Sequence, residues 1–127
     1  FFALFLLCFT SVMYSQAIAF EPKQEGYVLQ EPVKTDKLAN SIRLALVTYD
    51  WMITEEQDGV IFAKYEKSNG LIVANIKISY DKKAYSIEYV DSKNLDVNLK
   101  KKVIHRNYVR WINNLNKVIY QNYLTQA

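Results

Sequence analysis

Among 127 residues there is one cysteine, one histidine, two prolines and three glycines. Each scarcity removes a class of chemistry. Cys8 lies in an apolar run at the start of the chain, and nothing after it carries a thiol. Beyond residue 8 that excludes disulfides, cysteine nucleophiles and thiolate metal sites. His105 stands alone, whereas zinc wants three or four nitrogen and sulfur ligands. No glycine follows Gly70, so the second half has neither a nucleophile elbow nor a glycine-built amide hole. No cofactor is expected. Charge of one sign is also scarce: 16 basic against 13 acidic residues leave +3, too small an excess to point to nucleic acid.

The first twenty residues lack charge altogether, the first charged residue being Glu21. The apolar run Phe1–Phe9 gives way to smaller and more polar residues and then to Ala17-Ile18-Ala19. That is the order of an export signal, with a cut expected after Ala19. Residues 1–19 are read as the signal, 20–34 as a leader segment, and 35–127 as a single domain. Thr10, Ser11, Ser15 and Gln16 leave the apolar stretch short of the roughly 20 residues a membrane span needs. Leu7 is larger than the residue a lipoprotein cleavage box prefers before its cysteine. A membrane would therefore be met only through an uncleaved start or a lipid on Cys8.

What is present in quantity is apolar and aromatic material, including ten tyrosines and six phenylalanines. Half the residues are hydrophobic, a globular composition. The leader Phe20–Lys34 holds both prolines and one glycine, with a short edge strand expected at Tyr27–Leu29. Leu38, Ile42, Ala45, Leu46 and Tyr49 recur at helical spacing, with Thr35 or Asp36 placed to cap the helix. Leu44 and Val47 fall off that stripe. Four strand-like runs follow, separated by Gln57-Asp58-Gly59, Asn69-Gly70 and Lys82-Lys83.

Turns at Asn69-Gly70 and Lys82-Lys83 fix a register. Tyr65 then faces Ala74, Ala63 faces Ile76, Ile61 faces Ile78, Ile78 faces Ile87, and Ile76 faces Tyr89. The other side pairs Lys64 with Asn75, Lys77 with Glu88, and Ser79 with Ser86. A two-residue turn at Asp58-Gly59 would put Thr54 and Glu56 in the core. A three-residue turn with a bulge at Gly59 is expected instead, which puts Trp51 and Ile53 inside. Ile104, Tyr108, Trp111, Ile112, Leu115, Val118 and Ile119 fall within one arc of about 120° on a second helix. Lys100-Lys101-Lys102 reads as its solvated start. The expected fold is α+β, a four-stranded antiparallel meander with two helices packed on one face, in the order α-β-β-β-β-α.

Chemistry-bearing residues are few. His105 with Asp91 and Ser92 would make a hydrolase-like set if folding joined them. His105 reads more plainly as a half-packed residue at the border of the stripe, and Asp, Ser and Asn near residue 91 as turn formers. The outward sheet face offers a second candidate, a binding surface on Phe62 and Val73 flanked by Lys64 and Lys77, facing a partner or the leader segment Tyr27–Val33.

Three motifs occur in order: G-x-I-x-A-x-Y at Gly59–Tyr65, Y-S-I-x-Y-x-D-S-x-N-L at Tyr85–Leu95, and I-H-x-x-Y-x-x-W-x-x-N-L at Ile104–Leu115. With Trp51 they resemble a family of small bacterial envelope proteins, many of them grouped with lipoproteins. The resemblance covers about Leu38 to Ile119, with a weak lipid box at Cys8 and Val109 where a polar residue is usual. It implies export and the α-β-β-β-β-α layout and brings no catalytic residue. The expected function is a non-enzymatic periplasmic or secreted binding module for an envelope protein or a small ligand. The alternatives are the His105 hydrolase and a structural accessory of an outer-membrane assembly.

Overall fold

The computed structural model describes residues 16–29 and 34–125. The apolar run Phe1–Phe9 and Cys8 lie outside the described residues, as does Val33 of the leader. The elements in chain order are β1 (Ala17–Ala19), β2 (Lys23–Glu25), α1 (Thr35–Thr48), β3 (Met52–Gln57), β4 (Val60–Lys67), β5 (Ile72–Tyr80), β6 (Tyr85–Lys93), β7 (Val103–His105) and α2 (Arg106–Thr125). The fold is α+β with antiparallel pairing throughout. The main sheet has five strands, ordered β2-β6-β5-β4-β3, and β1 pairs with β7 in a second, two-stranded sheet. The meander of four is therefore extended on both counts by residues upstream of the first helix.

Within β4, β5 and β6 the register follows the alternation. Tyr65 pairs with Ala74, Ala63 with Ile76, Ile61 with Ile78, Ile78 with Ile87, and Lys77 with Glu88. Period-2 patterning against a buried face tolerates no slip, because a shift by one residue would turn every isoleucine outward. α1 and α2 cover that face, and the core joins Leu38, Ile42 and Leu46 of α1 to Leu115 and Ile119 of α2 and to the sheet isoleucines.

At the first hairpin the expectation of a three-residue turn is corrected. Gln57 pairs with Val60, leaving Asp58-Gly59 as the turn, with Gly59 at φ +82°. The register shift comes instead between Ile53 and Glu55. Thr54 is the extra residue, so Ile53 still meets Ala63 on the core side. Glu56 pairs with Ile61 at the rim of that side, where its carboxylate accepts from Arg43 of α1.

The second helix is shorter than its apolar stripe. Leu99 to Lys102 form a tight turn, Lys102 taking φ +54°, so the three lysines are not a helix start. Val103–His105 are extended, and Ile104 is buried from a strand rather than from the helix. Extended residues on the path into a helix can share its buried side, which is why Ile104 mimics the period. At α1 the N-cap is Lys34, without a side-chain hydrogen bond; Thr35 and Asp36 are already inside the helix.

The described part of the leader, residues 20–29, does not lie on the outward sheet face. It runs along the free edge of β6: Pro22 C=O accepts from Tyr89 N–H at 2.7 Å, Gly26 N–H donates to Tyr85 C=O at 2.8 Å, and Leu29 N–H to Lys83 C=O at 2.8 Å. Its strand is Lys23–Glu25, not Tyr27–Leu29. Leu29 is buried nonetheless, and the Tyr27 ring sits 4.7 Å from that of Tyr120 on α2. Among the described residues no helix is long and apolar enough to cross a membrane.

Candidate functional site

The hydrolase-like set is not assembled. Val90 is an extra residue in β6: Ile76 pairs with Tyr89, but Asn75 pairs with Asp91. The bulge turns Asp91 to the outward face, where its carboxylate accepts from the Asn75 amide at 2.6 Å. Ser92, opposite the buried Ala74, turns the other way and shares a 2.7 Å hydrogen bond with the Tyr89 hydroxyl. His105 caps α2: its Nδ1 accepts the backbone N–H of Asn107 at 3.0 Å. That bond places the ring proton on Nε2 and satisfies one of the free amides of the helix start. The three residues thus hold three separate structural partners.

Phe62, Val73, Lys64 and Lys77 do share the outward face. Phe62 pairs with Lys77 and Glu66 with Val73 across β4 and β5. Both lysines are engaged, Lys64 with Glu66 and Lys77 with Glu88, each at 3.6 Å. Phe62 and Val73 are half-buried among these stems, as expected where lysine methylenes lie over apolar surface. Larger apolar exposure lies around them, at Met52, Leu71 and Val90.

A better-formed concavity lies elsewhere. β2 runs along the sheet edge while α2 lies across the face, and the gap between them is a cleft of 590 Å³. Ala19, Phe20 and Glu21 form one end, Lys23, Gln24 and Glu25 one side, and Ile87, Tyr108, Val109 and Ile112 the apolar remainder. Gln24 reaches across to Asn113 of α2 at 3.4 Å. Phe20 is set by two edge-to-face contacts, with Tyr89 at 5.9 Å and Tyr108 at 5.8 Å.

Tyr108 is the polar feature of this apolar lining. It is 3% exposed, and its ring packs edge-to-face on Phe20 and Tyr89. Burial, with the nearby Tyr89 adding to it, raises its pKa well above the ordinary tyrosine value, so the hydroxyl is a neutral donor. The cleft has the size and lining to hold a small, mostly apolar molecule. Periodicity placed Tyr108 on the buried stripe and left its hydroxyl unremarked. The sequence signal was there, a phenol within a run of aliphatic side chains. Phe20 to Glu25 carried no such signal, since their role depends on pairing with a strand more than sixty residues away.

No protein-family model matches the chain, and neither a curated protein nor a solved structure matches it.

Proposed function

We propose that the protein is a non-enzymatic binding module of the bacterial envelope that holds a small, largely apolar ligand in the cleft between β2 and α2. The observation that carries this reading is the cleft itself: 590 Å³ of space, lined by Ile87, Tyr108, Val109 and Ile112. Pockets of this size and lining are the usual seat of small ligands. Export is supported by the uncharged, apolar start of the chain and by the resemblance to envelope proteins.

Titration of the isotopically labelled protein with decanol and with decane-like detergent tails tests the site. Amide resonances of residues 20, 21, 23–25 and 108–112 are expected to shift together and saturate. Val109→Glu should abolish the shift by placing a charge in the lining, and Tyr108→Phe should weaken decanol about five- to tenfold, the worth of one hydrogen bond. The second reading is the outward face, favoured by the grouping of Phe62, Lys64, Val73 and Lys77 there. Shifts concentrated on those four would move the site to that face, and no saturable shift anywhere would remove the binding reading. Intact mass of the exported protein tests the location: a chain beginning at Phe20 supports a cleaved signal, and one beginning at a lipidated Cys8 places it on a membrane surface.

A further inference from the structure

Acidic and basic residues are not mixed evenly along the chain. All 13 acidic residues lie before Val97, whereas Lys100, Lys101, Lys102, Arg106, Arg110 and Lys117 come after it. The net charge of +3 thus joins an acidic first part to a purely basic end. Folding keeps that end at the surface. These six cations are all exposed, and among the described residues none of them forms an ion pair, although Arg43, Lys64 and Lys77 each do. Arg106, Arg110 and Lys117 fall within about 40° of one another around α2, opposite its buried stripe.

The three lysines belong to a closed turn. Asn98 and Val103 exchange both backbone hydrogen bonds, at 2.9 and 3.1 Å, Lys102 N–H donates to Leu99 C=O at 3.2 Å, and Lys101 N–H donates to Asn98 Oδ1 at 3.0 Å. Leu99 is 52% exposed in this turn. An exposed leucine alone is ordinary. A leucine followed by three lysines has the composition of an interfacial anchor, an apolar tip with basic flanks. Arg106 is four residues beyond Lys102, roughly 13 Å along an extended path. Arg106 and Arg110 stand at the positive end of the helix dipole, so the fold gathers positive potential there instead of balancing it. Arg106 N–H donates to Gln16 C=O at 3.0 Å, so the uncharged stretch Phe1–Ser15 joins the domain beside this patch.

We propose that the Leu99–Lys102 turn, with Arg106 and Arg110 behind it, docks the domain on an anionic lipid surface. Leu99 enters the headgroup layer, and the cations are drawn to lipid phosphates. Charge complementarity selects the occupant, and Leu99 narrows it: a bilayer offers an apolar layer beneath its phosphates, and a nucleic acid offers none at its backbone. None of these residues lines the cleft between β2 and α2, so the two surfaces are tested separately.

Co-sedimentation of the chain with vesicles of phosphatidylcholine, alone or with about one-third phosphatidylglycerol, tests the docking. The apolar stretch enters both vesicles alike, so the readout is the ratio of the two partition constants. That ratio is expected to be about thirtyfold or more at low salt and to fall towards one at high salt. Lys100→Gln with Lys101→Gln should lower it about five- to twentyfold. Lys82→Gln with Lys83→Gln removes the same charge elsewhere and should leave it within about twofold. All four lysines are exposed, so both variants should melt as the parent does. Leu99→Ser should weaken binding to the anionic vesicles about two- to fivefold and keep its salt dependence. Equal partition into both vesicles, equal losses in the two double variants, or no loss in Leu99→Ser would overturn the proposal. So would displacement by inorganic phosphate at constant ionic strength, or tighter binding to duplex DNA than to the vesicles.

Discussion

Two residues set how the leader and the core meet. Gly26 is held by contact, not by backbone conformation: a Cβ there would stand 2.2 Å from a ring carbon of Tyr85. The ring cannot easily yield, because its hydroxyl donates to Asn116 Oδ1 at 2.6 Å. Gly26→Ala should therefore cost about 1–3 kcal/mol, as overpacking does. A urea midpoint unchanged from the parent, with the Leu29 amide equally protected from exchange, would show that the ring moves aside. Tyr85 itself makes stability depend on alkaline pH. Burial is the main cause that pushes its pKa from 10.0 to about 12. The unfolded chain then gives up this proton before the folded one. The contribution is whole below pH 10 and is lost as pH rises from about 10 through 12. Tyr108, raised by its own burial, acts in the same direction. Stability measured from pH 9 to 12 should fall, and fall less steeply in Tyr85→Phe, which at neutral pH should lose about 1 kcal/mol with its hydrogen bond. Neither role could be read from the sequence, where Gly26 is one of three glycines and Tyr85 one of ten tyrosines.

At the scale of elements, the two bulges matter more than the turns. Strands β4 and β5 were legible because Ile61, Ala63, Ile76 and Ile78 alternate without a break. The ends of β3 and β6 were not, because Thr54 and Val90 each reset the alternation by one residue. The position of a bulge depends on which side chains must be inside on both flanks, and several placements satisfy one strand read alone. Val90 separates the two roles of a residue, side chain and length. Its side chain is 44% exposed, so Val90→Ala should change stability by no more than about 0.5 kcal/mol. Deleting Val90 would close the bulge and leave Asp91 opposite Asn75 and Ser92 opposite Ala74 in an unbroken ladder. Thermal unfolding of the two variants checks this: both midpoints are expected to stay near the parent's, and a large loss on deletion alone would show that the bulge itself is needed by the fold.

For the whole molecule the decisive feature is how far upstream the fold reaches. β1 pairs Ala17 with His105 and Ala19 with Val103. Gln16 C=O accepts from Arg106 N–H at 3.0 Å, and Phe20 N–H donates to Lys102 C=O at 3.0 Å. The expected cut after Ala19 therefore falls at the end of a strand and removes one wall residue of the cleft. Of two purified chains, one beginning at Gln16 and one at Phe20, the longer should be more stable by about 1–3 kcal/mol, the sum of a few net hydrogen bonds. Equal denaturation midpoints would show that β1 adds nothing to the folded domain.

Local chemistry was enough for much of this. The α+β class, the helix over Thr35–Thr48, the β4–β5 and β5–β6 hairpins and most of the core followed from spacing and turn residues, because each involves groups near in sequence or repeated with a fixed period. Long-range contact decided the remainder. The fifth strand, the β1–β7 pair, the cleft at Tyr108 and the meeting of Trp51, Tyr65 and Trp111 all join segments far apart in the chain. Nothing in the composition of Lys23–Glu25 marks a strand; it becomes one because β6 presents an unpaired edge beside it. The separation of Asp91, Ser92 and His105 was likewise set by a single extra residue in β6, since one residue is all it takes to turn a side chain to the opposite face of a sheet.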